Sequence, residues 1–365
     1  MRTWSDRRIL DMLGIDTPIL LAPMAGPGTP ELAIAVSEAG GLGGLACSQL
    51  DLAQMSRAIE MIRAATVRPF NLNFFCHDEP VRKADEAATW RDVLRRYYRE
   101  LGLDPDVSRP AGPRRPFDVE ACAVVETYCP PVVSFHFGLP APDLLARVKA
   151  VGAKVIASAT TVAEAVWLEA RGCDAIIAMG LEAGGHRGSF LNLDPSAQVG
   201  TFALVPQVVD AVSVPVIAAG GVGDARGIVA ALALGASAVQ VGTAYLLCPE
   251  AATSPLHRAA LARARDDATR ITNLFTGRPA RGIVNRLMRE QGPMSPATPG
   301  FPLAADALTP LRKTAEAAGS DDFTPLWCGQ AARLARASPA GDLTRELATE
   351  ALSRMSDPDL RNGEA

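Results

Sequence analysis

Short apolar runs bounded by glycine or proline alternate with helical patterns through the first two-thirds of this chain, and few folds accommodate that alternation. "TPILLAPMAG" reads as a strand ending near Met24, and "PELAIAVSEAGG" as the helix after it. Proline in the first helical turn and glycine past the last are the expected punctuation. "LGGLACS" and "FNLNFFC" are the next strands, with a helix from Asp51 to about Thr66 between them. A charged, arginine-rich stretch from His77 to Phe117 then breaks the pattern as an insertion. The alternation resumes with "PVVSFHF", "AKVIASAT", "DAIIAMG", "VPVIAAGG" and "SAVQVGTAYL", separated by helical segments near 142–150, 161–171, 201–211 and 224–234. Eight strand–helix units predict a parallel sheet closed into an α/β (β/α)8 TIM barrel, with a doubly wound open sheet as runner-up. From about residue 250 onward the sequence looks helical and loop-rich, without strong strands. The expected division is a barrel over residues 1–76 and 118–250, and a smaller helical cap from 77–117 with 251–365.

Composition narrows the function classes. The 365 residues exceed a usual domain but suit a barrel, and 48% hydrophobic content can fill one. A formal net charge of −4 gives no basic footprint for nucleic acid. Gly227 to Pro249 contains no charged residue and is long enough to span a bilayer. It divides, however, into a helix-like run ending at glycine and a strand-like run holding Gln240 and Thr243, so a buried helix–strand pair is expected and no membrane segment. The seven cysteines are odd in number and lack CxxC spacing, which predicts reduced thiols rather than disulfides or a zinc site. No HExxH motif occurs, and no metal is assigned. The start of the chain lacks a signal-peptide pattern, so a cytoplasmic location is expected. Oligomeric state is not readable, and an oligomer is compatible with the sequence.

In such a barrel the chemistry collects where the strands end and their following loops begin. The Gly-rich ends "AGGVGD" after the seventh strand and "QVGTAYL" after the eighth bring Gly220, Gly221, Gly242 and Thr243 together. Free amides and a helix N-terminus attract anions there, and two such turns at these positions favour a phosphate-bearing cofactor over plain tight turns. There is no GxGxxG at the first βα turn, so a dinucleotide fingerprint is absent. "LEAGGHRGSF", after the sixth strand, sets His186 among glycines in a loop rather than a core, where imidazole can move protons near neutral pH. His136, in "SFHFG", faces away from Phe135 and Phe137 and either points into the barrel mouth or fills space. His77 is balanced between a function and none, and His257 reads as structural. "RPAGPRRP" reads as loop or linker, and Lys154 lies at the wrong end of its strand to form a Schiff base.

Taken in order, "APMAG" at Ala22–Gly26, "NLNFFCH" at Asn71–His77, "EAGGHRG" at Glu182–Gly188, the long run through "AAGGVGDARG" and "QVGTAYL", and the late "FTGRPARG" and "LWCGQAARL" resemble the nitronate monooxygenase family. The resemblance implies a TIM barrel binding FMN non-covalently. It implies that FMN contacts the backbone around Pro23, Met24 and Ala25, with Asn71 or Asn73 near it. The phosphate would meet Gly220, Gly221, Gly242 and Thr243, with Gln240 nearby, and Gly184 and Gly185 would let the loop approach the flavin. His186 matches the family's proposed base, with His136 as a second catalytic candidate. Many relatives carry glutamine where this chain has Met179. The implied reaction uses dioxygen to convert an alkyl nitronate, or a nitroalkane, to a carbonyl compound and nitrite. The nearest rival resemblance is to FMN- and NADH-dependent enoyl-[acyl carrier protein] reductases, which share "AGGH" but typically continue His-Ile-Gly. A non-redox barrel binding a phosphorylated ligand is the alternative outside the oxidoreductases.

Overall fold

The computed structural model describes residues 3–106 and 114–356. Its strands in chain order are β1 (Ile19–Leu21), β2 (Gly43–Ala46), β3 (Phe70–Phe75), β4 (Val132–His136), β5 (Lys154–Ala159), β6 (Ala175–Met179), β7 (Gly185–His186), β8 (Val216–Ala219), β9 (Ala238–Val241), β10 (Thr269–Thr272) and β11 (Ala280–Ile283). Eight of them form one parallel sheet in the order β1-β9-β8-β6-β5-β4-β3-β2. A parallel bridge between Leu20 and Leu42 brings its two ends together, so the sheet is a nearly closed TIM-type barrel. Strands such as β6, "AIIAM", are buried at every position, as expected where side chains fill the barrel on one face and helices cover the other.

Local chemistry sets the helix starts. Thr29 accepts the N–H of Leu32 ahead of Pro30–Glu38. Asp51 and Gln54 form a reciprocal capping box on Leu52–Ala65. Each cap satisfies N–H groups that a helix leaves unmatched at its start.

Two features lie outside the simple barrel. Helix Ala84–Glu100, in the insertion, packs on helix Ala304–Ala317, and together they bury Trp90, Leu94, Leu308 and Leu311 in a cluster separate from the barrel core. Residues 107–113 of the insertion lie outside the described residues. The late part of the chain is not only helix and loop: β10 and β11 pair antiparallel, and β11 pairs in turn with β7. The last described helix, Ala340–Met355, packs on Pro30–Glu38 and Ala225–Ala233, and its Leu343 and Leu347 join the barrel core. No helix among the described residues is long and apolar enough to cross a membrane.

Candidate active site

The C-terminal ends of the barrel strands open into a cavity of about 620 Å³. Its wall includes Pro23, Met24 and Ala25 after β1, Asn73 on β3 and His136 on β4. It also includes Gly184, Gly185 and His186 after β6, Gly220 and Gly221 after β8, and Gln240, Gly242 and Thr243 at β9. Asn71 is the one expected site residue that does not reach this wall. It shares a face with Asn73 but lies two residues deeper, 2% exposed, and its Nδ2 donates to Ser134 Oγ at 2.8 Å. Asn73 Nδ2 donates to the same hydroxyl at 2.9 Å, so Asn71 supports from beneath what Asn73 presents.

One end of the cavity is lined by glycine turns and a short helix start. Gly220 and Gly221 sit at φ +108 and +73, angles that favour glycine, and a Cβ on Gly220 would lie 3.0 Å from the Ala183 nitrogen. Thr243 begins the short helix Thr243–Leu247, whose first N–H groups have no partner inside the helix. The helix after β8 does not take part as expected. Its N-terminus is capped by Asp224, which accepts the N–H groups of Arg226 and Gly227, so those amides are already engaged. Glu182 likewise occupies the start of helix Thr201–Ala211, accepting from Thr201 N at 2.8 Å. A cradle of glycine backbone with a helix start fits a phosphate monoester, and the rest of the cavity is large enough for a flat ring system.

Gly184, on the cavity wall, also packs closely against the late part of the chain. A Cβ there would lie 2.4 Å from the Cys328 carbonyl carbon and 2.5 Å from Gly329 N, so the position has no room for a side chain. Gly184→Ala is expected to force the 328–329 segment outward and to cost about 1–3 kcal/mol, read as a lower denaturant midpoint. An unchanged midpoint would mean that the segment yields freely.

The other end holds the histidines. His186 pairs in β7 with Ala280 of β11, so its backbone belongs to a sheet rather than a free loop. Its ring lies among Phe75, Phe137, Phe301 and Trp327, with centroids 5.2–6.1 Å away. Nε2 lies 2.9 Å from Thr276 Oγ1. Burial, reinforced by Arg114, His136, Arg278 and His77, holds this imidazole well below the usual histidine range, so it is neutral near pH 7. His136 lines the cavity, yet both its nitrogens are engaged, Nε2 with the His186 carbonyl and Nδ1 with Ser158 Oγ, each at 3.1 Å. Burial brings it down to about 3.

Arg187 is fully buried and reaches three acceptors: the Met179 and Gly180 carbonyls, each at 2.8 Å, and Gln198 Oε1. It ties the end of β6 to the His186 segment. Met179 therefore contributes a carbonyl to this clamp while its apolar side chain faces the cavity.

Several wall residues were not singled out from sequence. Arg114, from the run read as linker, has its Nη1 buried without a hydrogen-bond partner among the described residues, and burial brings it down to about 10. Arg312 shares that wall. His257, read as structural, also lines the cavity, with a buried Nε2 that has no partner among the described residues. Only the motif "LWCGQ" hinted at Trp327, and nothing hinted at Arg114.

A (β/α)8 barrel with glycine turns and a desolvated histidine at its strand ends has the layout of a barrel enzyme. The family model for nitronate monooxygenase matches residues 6–350. A nitronate monooxygenase of Pseudomonas aeruginosa is 44% identical over 347 residues, covering 94% of this chain and 98% of that protein. One of Paraburkholderia phytofirmans is 42% identical, covering 94% of each. Among solved structures, nitroalkane oxidase from Streptomyces ansochromogenes superposes with a TM-score of 0.86 at 38% identity, covering 95% of this chain and 99% of that one. FabK from Thermotoga maritima gives 0.74 at 30% identity, covering 99% and 100%. The chain belongs to the nitronate monooxygenase family. It is accordingly an oxidoreductase, and membership implies a flavin cofactor.

Proposed function

We propose that this protein uses FMN and dioxygen to oxidise alkyl nitronates, and nitroalkanes after deprotonation, to carbonyl compounds and nitrite. The observation carrying this reading is the single cavity that joins the glycine anion cradle at Gly220, Gly221, Gly242 and Thr243 to His186. Bound there, FMN would supply the one-electron chemistry with oxygen that side chains lack. Pro23, Met24, Ala25, Asn73, Gly185 and Gln240 would line its ring and chain. The aromatic wall around His186 would exclude water and pack the alkyl group. The cationic side chains of Arg114 and Arg312 on the cavity wall favour an anionic substrate there. His186 would take the α-proton of a neutral nitroalkane, while a preformed nitronate needs no base. His136, with both nitrogens engaged, would hold the His186 carbonyl rather than touch substrate. Residues 1–76 and 118–250 would carry the flavin, with helix Ala340–Met355 packed on the barrel, and helices Ala84–Glu100 and Ala304–Ala317 would belong to the smaller part. All seven cysteines are free thiols, which supports a cytoplasmic setting.

The purified protein is expected to be yellow, with a flavin visible spectrum, and to release nitrite from a nitronate in air. Without air, a nitronate is expected to bleach the flavin and NADH is not. Rapid bleaching by NADH alone would point to an NADH-dependent reductase. A colourless protein that cannot be reconstituted with FMN would point to a barrel binding another phosphorylated ligand.

A further inference from the structure

We propose that Thr276 is a positioning residue that holds His186 as its Nε2–H tautomer and thereby makes Nδ1 the nitrogen that meets substrate. This rests on the reading of His186 as a base and deepens it. Thr276 lies in the turn between β10 and β11, is 1% exposed, and has its Oγ1 2.9 Å from His186 Nε2. The other polar atom within its reach is the Arg278 carbonyl oxygen at 3.5 Å. A carbonyl can only accept, and a buried hydroxyl has one proton to give. In the arrangement we assign, that proton points at the carbonyl, an oxygen lone pair faces His186, and Nε2 donates. A neutral imidazole with its proton on Nε2 carries its basic lone pair on Nδ1. Among the described residues Nδ1 has no hydrogen-bond partner, and His186 lines the cavity, so Nδ1 is the nitrogen left for a ligand.

The turn itself is rigid. Gly277 sits at φ +88, and a Cβ there would lie 2.1 Å from the Pro299 oxygen. Its N–H donates to the Asn273 carbonyl at 2.7 Å. Sheet pairing through β11 holds the His186 backbone against the same turn. The groups that bear on the ring electrostatically are Arg114, Arg278, His136 and His77, and with burial they oppose a second proton. In the step assigned to this geometry, the Nδ1 lone pair takes the α-proton of a neutral nitroalkane. The C–H electron pair becomes the C=N bond of the nitronate, and the negative charge moves onto its oxygens. The imidazolium that forms keeps its Nε2–H on Thr276.

Two variants and one spectrum test this. Thr276→Val keeps the shape and removes the hydroxyl, while Thr276→Ser keeps the hydroxyl. The ratio of nitroalkane to preformed-nitronate turnover is expected to fall at least about tenfold in the first variant, the effect of one hydrogen bond, and to recover in the second. In protein labelled with 15N-histidine, the His186 resonances are expected to show the Nε2–H tautomer across neutral pH in the wild type, and a mixture in Thr276→Val. An Nδ1–H tautomer in the wild type would overturn the proposal, as would an equal loss on both substrates or a failure of serine to restore the ratio. If the wild type released no nitrite from any nitronate, the functional reading would fall. The nitrogen spectrum would still decide the tautomer.

Discussion

Replacing His186 by asparagine is expected to slow turnover of neutral nitroalkanes by about 10²- to 10⁴-fold, the usual worth of a positioned proton acceptor. Turnover of the same compound supplied as its nitronate should fall much less. Asparagine still fills the aromatic pocket and still donates a hydrogen bond, but it cannot accept a proton from carbon. Initial rates of nitrite release with the two forms of one compound separate these effects, and equal losses on both would remove the base from the mechanism. The pH dependence carries the same information. Because burial disfavours the imidazolium, His186 stays unprotonated below pH 6.5, and the acid limb it sets for nitroalkane turnover should lie well under that value. A limb at the ordinary histidine position would mean that the ring is solvated in the working enzyme.

Acid should unfold this protein early. His77 and His257 are brought down to about 4 and His136 to about 3, in each case chiefly by burial, and His186 is shifted the same way. All four rings are therefore neutral in the folded chain, whereas the unfolded chain takes up protons on them near pH 6.5. Between pH 6.5 and about 4 the unfolded state binds more protons, so stability present above that window is lost as pH falls through it. Each ring contributes a slope of roughly 1.4 kcal/mol per pH unit there. Urea midpoints at pH 7.5, 5.5 and 4.5 should decline steeply, and a flat series would show that the buried rings protonate without penalty.

What could be read from sequence depended on how local the signal was. The barrel strands announced themselves through continuous apolar runs, and Gly220, Gly221 and Gly242 through a residue type that tolerates unusual angles. His186 stood out because glycines flank it. Thr276, Arg114 and His257 carried no such mark, since each matters through a partner that only the fold brings near. β10 and β11, "TRIT" and "ARGI", are too short and mixed to read as strands, and their pairing with β7 is a long-range event. The partners of Asp224 and Gly184 were hidden for a related reason. Both are turn residues, but one caps its own helix and the other makes room for Cys328.

The pairing of β7 with β11 also fixes an order of assembly. A chain is made from its N-terminus, and His186 leaves the ribosome 90 residues ahead of the threonine that holds its ring. The last barrel strand, β9, is complete before either late strand exists. The strands of the eight-stranded sheet thus precede in the chain the turn that meets the His186 ring.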